Sequence, residues 1–113
     1  MNAFSSLNGW NQVLDRIRLV FVPDNMAGAA WGISSKAGLT IYKGGIPKVR
    51  LVPFDAPLPF ISIYKWGRDG TICLDSWREY IDGCWVSETG RQESLEDMVN
   101  LIEILCREVF TST

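Results

Sequence analysis

Three cysteines, a short run of carboxylates and an unusual number of tryptophans are the residues through which this chain could do chemistry. Cys73, Cys84 and Cys106 are odd in number and show no Cys-x-x-Cys spacing. That pattern fits reduced thiols better than a disulfide framework or a metal knot. It leaves open a Cys73–Cys84 pair across neighbouring strands. A thiol acts as a nucleophile only as the thiolate, which needs a nearby cation or helix start. Lys65 and Arg68 lie close enough in sequence to lend positive charge to Cys73, and Asp75 would oppose them. Without such help Cys73 is a small apolar residue of a strand, boxed in by Ile72, Leu74 and Trp77.

The chain contains no histidine. Ser-His-Asp and Cys-His catalysis, His-ligated zinc and imidazole pH switching are therefore excluded. Asp75, Glu79, Asp82 and Glu88 match neither an EF-hand nor a two-metal spacing, so no metal site is expected and they are read as a solvated acidic face. Gly44-Gly45 and Gly67-x-x-Gly70 are turn glycines: neither opens a helix or carries the Gly-Lys-Ser/Thr of a phosphate loop. No cofactor is implied. Eleven basic against 13 acidic residues leave a net charge of −2, with no cationic surplus for nucleic acid.

Five tryptophans occur in 113 residues. Trp31 and Trp85 are assigned to the core. Trp66 and Trp77 stand at the two ends of one hairpin, where with Tyr64 and Tyr80 they would form an exposed aromatic patch for a protein partner. Pro57 and Pro59, within the proline-rich stretch 53–60, extend the candidate partner surface, either as a ligand-like extended segment or as a proline-protected edge.

The elements that must position these residues follow from periodicity. Leu7, Trp10, Val13, Leu14, Ile17 and Phe21 recur at three and four residues, predicting a helix capped by Ser6 and ended by Pro23, Asn25 and Gly28. From Ala29 to Val86, short β-branched and aromatic runs alternate with turn residues, which predicts an antiparallel meander of about four to six strands. Its clearest unit is the hairpin PFISIYKW-GRDG-TICLDSW, with a four-residue loop. Ser94 then caps a long helix, with Glu93, Glu96 and Asp97 at its positive end. Leu95, Met98, Val99, Ile102, Leu105, Cys106 and Val109 form its apolar stripe, broadened by Leu101 and Ile104. The expected fold is a single two-layer α+β domain over residues 1–113, an antiparallel sheet flanked by an N-terminal and a long C-terminal helix. With 47% hydrophobic and 21% charged residues the composition is that of a soluble globular protein. No secretory signal or membrane span is read, so a cytoplasmic setting is expected.

One resemblance rests on particular residues. Trp31, Tyr42, Gly44, Gly45, the Pro53 to Pro59 stretch and the segment Gly70-Thr71-Ile72-Cys73-Leu74-Asp75 follow one another in an order that resembles the ubiquitin-conjugating enzyme family, with Trp85 and the Ser94-Leu95-x-x-Met98 helix downstream. The resemblance implies Cys73 as the residue that carries a ubiquitin thioester. The family's His-Pro-Asn tripeptide, whose asparagine steadies the oxyanion, has no counterpart here: the corresponding place reads Ile63-Tyr64-Lys65-Trp66-Gly67. Such a relative would be reduced or inactive, kept for binding.

Three functions follow. The first is a small protein-binding module of the adaptor, inhibitor, immunity-protein or chaperone type, acting by surface recognition. The second is a conjugating-like carrier with Cys73 as its catalytic residue. The third is a homodimer assembled through the C-terminal helix or an exposed strand.

Overall fold

A computed structural model describes residues 2–34, 38–54, 60–81 and 83–112, with side chains from residue 8 onward. The chain runs α1 (Asn2–Val20), β1 (Ala29–Ile33), β2 (Leu39–Lys43), β3 (Ile46–Phe54), β4 (Phe60–Gly67), β5 (Gly70–Ile81), β6 (Cys84–Ser87), β7 (Gln92–Ser94) and α2 (Leu95–Thr111). The strands pair in sequence order as one antiparallel seven-stranded sheet. The α+β meander between two helices is thus as expected. Its seventh strand, three residues long, is too short to carry a periodic signal.

Both helices lie on one face of the sheet. Trp10, Val13, Leu14, Ile17, Val20 and Phe21 come from α1 and its exit, and Met98, Val99, Ile102, Cys106 and Phe110 from α2. They meet a strand layer of Leu39, Ile41, Val49, Leu51, Ile61, Ile63, Trp77 and Trp85. Each fully buried aliphatic side chain contributes about 1.5–3 kcal/mol by leaving water, so this shared layer is the main favourable contribution to the fold.

Phe21 stands edge-on to Phe110 with ring centroids 5.6 Å apart. Arg16 donates to Asn100 at 2.7 Å and to Glu103 at 2.8 Å. Later residues of α1 therefore meet later residues of α2, and the helices run side by side in the same direction. The carbonyl end of α2 lies at the β2–β3 hairpin. There Lys43 Nζ donates to the Phe110 carbonyl at 3.2 Å and Lys48 Nζ to the Ser112 carbonyl at 3.3 Å, two cations placed at the negative end of the α2 dipole. The hairpin itself turns on Gly44 and Gly45, at φ 59° and 84°, the left-handed pair that a two-residue turn requires.

Three local expectations change. The first helix begins at Asn2, so Ser6 lies inside it and does not cap it. The β4–β5 turn is two residues, Arg68 and Asp69, because Gly67 and Gly70 pair across the hairpin. Cys73 and Cys84 cannot pair: Cys73 stands opposite Tyr64 and Cys84 opposite Ile81, eight residues further along β5, which is roughly 26 Å of strand. All three thiols are free. Ser94 does cap α2, its hydroxyl accepting from the Asp97 backbone N–H.

Candidate recognition face

Strand alternation sorts the sheet's side chains onto two faces. One face meets the helices. On the other, Thr40, Arg50, Tyr64 and Cys73 stand side by side across four strands, followed by Val52, Ser62 and Ser76, then Phe54, Phe60, Arg78, Val86 and Gln92. No described helix packs on this second face, called here the open face. Phe54 and Phe60 stack on it, centroids 4.4 Å apart and planes 12° from parallel. Ser62 and Ser76 join hydroxyls at 2.8 Å in its middle, which satisfies the deeply buried Ser62. Beside them a cleft of about 380 Å³ is lined by Phe60, Ser76, Arg78, Tyr80, Val86, Ser87 and Glu88.

The expected partner residues divide. Tyr64, half-buried, and Trp66, 38% exposed, alternate onto the open face. Tyr80, 70% exposed, lines the cleft. Trp77 does not belong with them: it is 3% exposed, paired opposite Ile61 and Ser87, and sits in the helix-facing core. Trp77 and Tyr80 are three residues apart on one strand, so the single alternation that shows one to solvent hides the other. Pro57 and Pro59 lie outside the described residues. Trp85 is core, as expected, at 1% exposure, whereas Trp31 is half-buried beneath the Arg18 guanidinium, 5.1 Å from its ring centroid.

Cys73 is a correction. It is exposed, not boxed in by apolar neighbours. Counting back from Trp77 in steps of two places Asp75 and then Cys73 on the helix side. The register, however, shifts at Ile63/Tyr64: Ile63 faces Asp75 while Tyr64 faces Cys73, and Leu74 is the extra residue of a bulge. The bulge turns Leu74 inward against the core and sends Cys73 to the open face. Its sulfur lies 3.6 Å from the Asp75 carbonyl and 3.8 Å from the Ser76 hydroxyl. Lys65 pairs with Ile72 on the helix-side alternation and so faces away from this thiol.

The carboxylates also depart from a uniformly solvated face. Asp75 continues the helix-side row of Leu39, Leu51 and Ile63. It lines a second cleft with Trp77, Arg91, Leu101, Leu105 and Glu108. Burial raises its pKa and the charge of Glu88 adds to this, while hydrogen bonds from the Ser76 backbone and the Trp77 side chain act the other way. Glu88 lines the open-face cleft at the β6–β7 turn, and Asp82 lies outside the described residues. Among the described residues no group of three or more Cys, Asp or Glu side chains is placed to hold a metal ion, and no helix is long and apolar enough to cross a membrane.

No protein-family model matches the chain, and neither a curated protein nor a solved structure matches it.

Proposed function

We propose that this protein is a binding module of the adaptor, inhibitor, immunity-protein or chaperone type, recognising another protein through the open face of its sheet and not by catalysis. The supporting observation is the contrast between the two faces. The helix side is filled by a continuous core, while the other side presents Tyr64 and Trp66 and, further along the strands, a shallow cleft lined by Phe60 and Tyr80, with no described helix over them. Aromatic groups held on a rigid sheet bind with little loss of side-chain entropy and are the common anchors of protein interfaces. A cytoplasmic setting, in which three free thiols stay reduced, accords with this function. Affinity capture with the wild type, Trp66→Ala and Tyr80→Ala tests it. The variants should lose the partner while keeping their melting temperature; loss of the fold without selective loss of binding would contradict it.

A second function is favoured by one observation, the exposure of Cys73. In it the protein is a ubiquitin-conjugating-like carrier, the Cys73 thiolate displacing the thiol of a loaded activating enzyme to take over the acyl group as a new thioester. Incubation with ATP, an activating enzyme and its modifier would then give a thiol-sensitive adduct that Cys73→Ser abolishes.

A further inference from the structure

We propose that the occupant of the open face is an acidic, extended segment of the partner protein, seated by Arg50 and Arg78; this rests on the binding function proposed above and names the chemistry of the partner. The three strand carboxylates in the described residues, Asp75, Glu79 and Glu93, all fall on the helix-side alternation, Glu79 and Glu93 flanking Trp85 and Asp75 continuing the row of Ile63. On the open-face alternation the charged strand residues are Arg50, between Thr40 and Tyr64, and Arg78, between Phe60 and Val86. A chain with net charge −2 thus carries a face whose strand charges are all positive.

Among the described residues these two arginines are also unspent. Arg16, Arg91 and Arg107 are bound to carboxylates, and Arg18 lies over Trp31. Among the described residues the guanidinium of neither Arg50 nor Arg78 makes an ion pair or side-chain hydrogen bond. A guanidinium forks onto a carboxylate through two parallel hydrogen bonds, so each is a ready anchor for Asp or Glu. Arg50 and Arg78 are two strands apart and four residues apart along the strand direction, roughly 16 Å by ordinary sheet spacings. An extended peptide spans that distance in about five residues. Along its path it would cross Tyr64, the Ser62–Ser76 pair and the Phe54–Phe60 stack. The preferred segment therefore mixes acidic with aromatic or aliphatic residues. Two cations are too few to track a nucleic-acid backbone, whose binding scales with the number of phosphates neutralised. Glu88, at the cleft rim, is the described carboxylate that opposes such a ligand.

A random copolymer of Glu and Tyr is the probe, titrated into the full-length protein, with amide chemical shifts and fluorescence anisotropy as readouts. Binding should perturb Arg50, Ser62, Tyr64, Ser76 and Arg78, weaken as salt is raised, and weaken about tenfold in the Arg50→Gln/Arg78→Gln variant, a loss of about 1.4 kcal/mol. Glu88→Gln should tighten it. Failure of the copolymer to bind, equal binding by the double variant at unchanged melting temperature, or tighter binding of a Lys/Tyr copolymer or of oligothymidylate would overturn the proposal. A natural partner that is lost with Trp66→Ala but indifferent to both arginines would remove the acidic ligand and leave the binding function standing. A natural partner that ignores the open face altogether would remove both.

Discussion

Gly9 of α1 lies directly against the indole of Trp85, so close that a β-carbon at position 9 would overlap Cζ2 of the ring. This contact seats the first helix on β6, at the far end of the sheet from the Phe21–Phe110 contact. Gly9→Ala gains helix propensity of about 1 kcal/mol, but must push a fully buried indole aside, which costs about 1–3 kcal/mol. The net effect should be destabilising, a loss of up to about 2 kcal/mol, read as a fall in melting temperature of up to several degrees. Trp85→Phe removes the overlapping ring atoms together with an indole N–H that has no hydrogen-bond partner among the described residues. Adding it to Gly9→Ala should recover part of the loss, and strict additivity of the two substitutions would contradict the contact.

The two tryptophans at the ends of the β4–β5 hairpin should separate sharply. Trp77→Ala opens a cavity under α2 and should cost about 3–5 kcal/mol. Trp66→Ala should cost under about 1 kcal/mol and leave the denaturation curve almost unchanged. Equal losses in urea melts would place both in the core.

Much of this fold is legible in the sequence because its signals are long and periodic. The Ser94 cap and the centre of the α2 stripe, Met98, Val99, Ile102 and Cys106, agree with the structure, while Ile104, expected to broaden the stripe, is exposed; Trp10, Val13, Leu14, Ile17 and Phe21 face inward as their spacing requires. What could not be read is the phase of β5. Alternation has period two, so one inserted residue exchanges the faces. The bulge at Leu74 does this between Trp77 and Cys73. Trp77 is therefore core while Cys73, four residues before it, is on the surface, where unbroken alternation would put both on one face. The exposure of Trp66 and Tyr80 was legible in the sequence, whereas the charge sorting that leaves Arg50 and Arg78 alone on the open face emerges only when seven strands are laid side by side.

Glu103 and Asp75 should respond to acid in opposite senses. Burial of Glu103 pushes its pKa up, but hydrogen bonds and charge from Arg16 and Arg107 outweigh this, and its carboxyl sits below the ordinary glutamate range. Its contribution is present above the unfolded value and is lost as pH falls through the folded one. Glu103→Gln should cost about 1 kcal/mol near neutrality, and the gap in melting temperature to wild type should close as pH drops below the ordinary carboxylate range. A gap independent of pH would contradict the Arg16–Glu103–Arg107 cluster.

For Asp75 the folded pKa is raised, so its favourable contribution is complete below the unfolded value and is lost as pH rises through the folded one. Asp75→Asn keeps an acceptor for the Ser76 N–H and removes the charge. It should raise the melting temperature at pH 7 and lose that advantage in acid. A fall in melting temperature at pH 7 would mean that the charge is used in the folded state.

The thiols offer a test of the bulge. Cys73 should react with an aromatic disulfide reagent in the native state, while Cys106, fully buried and with its thiol pushed far up by burial, should react only on unfolding. Cys73→Ser should change stability by less than about 0.5 kcal/mol. A native Cys73 that resists labelling would restore the unbulged register.

Hydroxyl-radical footprinting of the protein with its captured partner reads side chains one face at a time and tests the proposed function most directly. Oxidation of Tyr64, Trp66 and Tyr80 should fall on complex formation, while Leu19 and Ile104, exposed on the helices, keep their free-protein rates. Protection of Leu19 and Ile104 with the open-face aromatics unchanged would contradict recognition through the sheet.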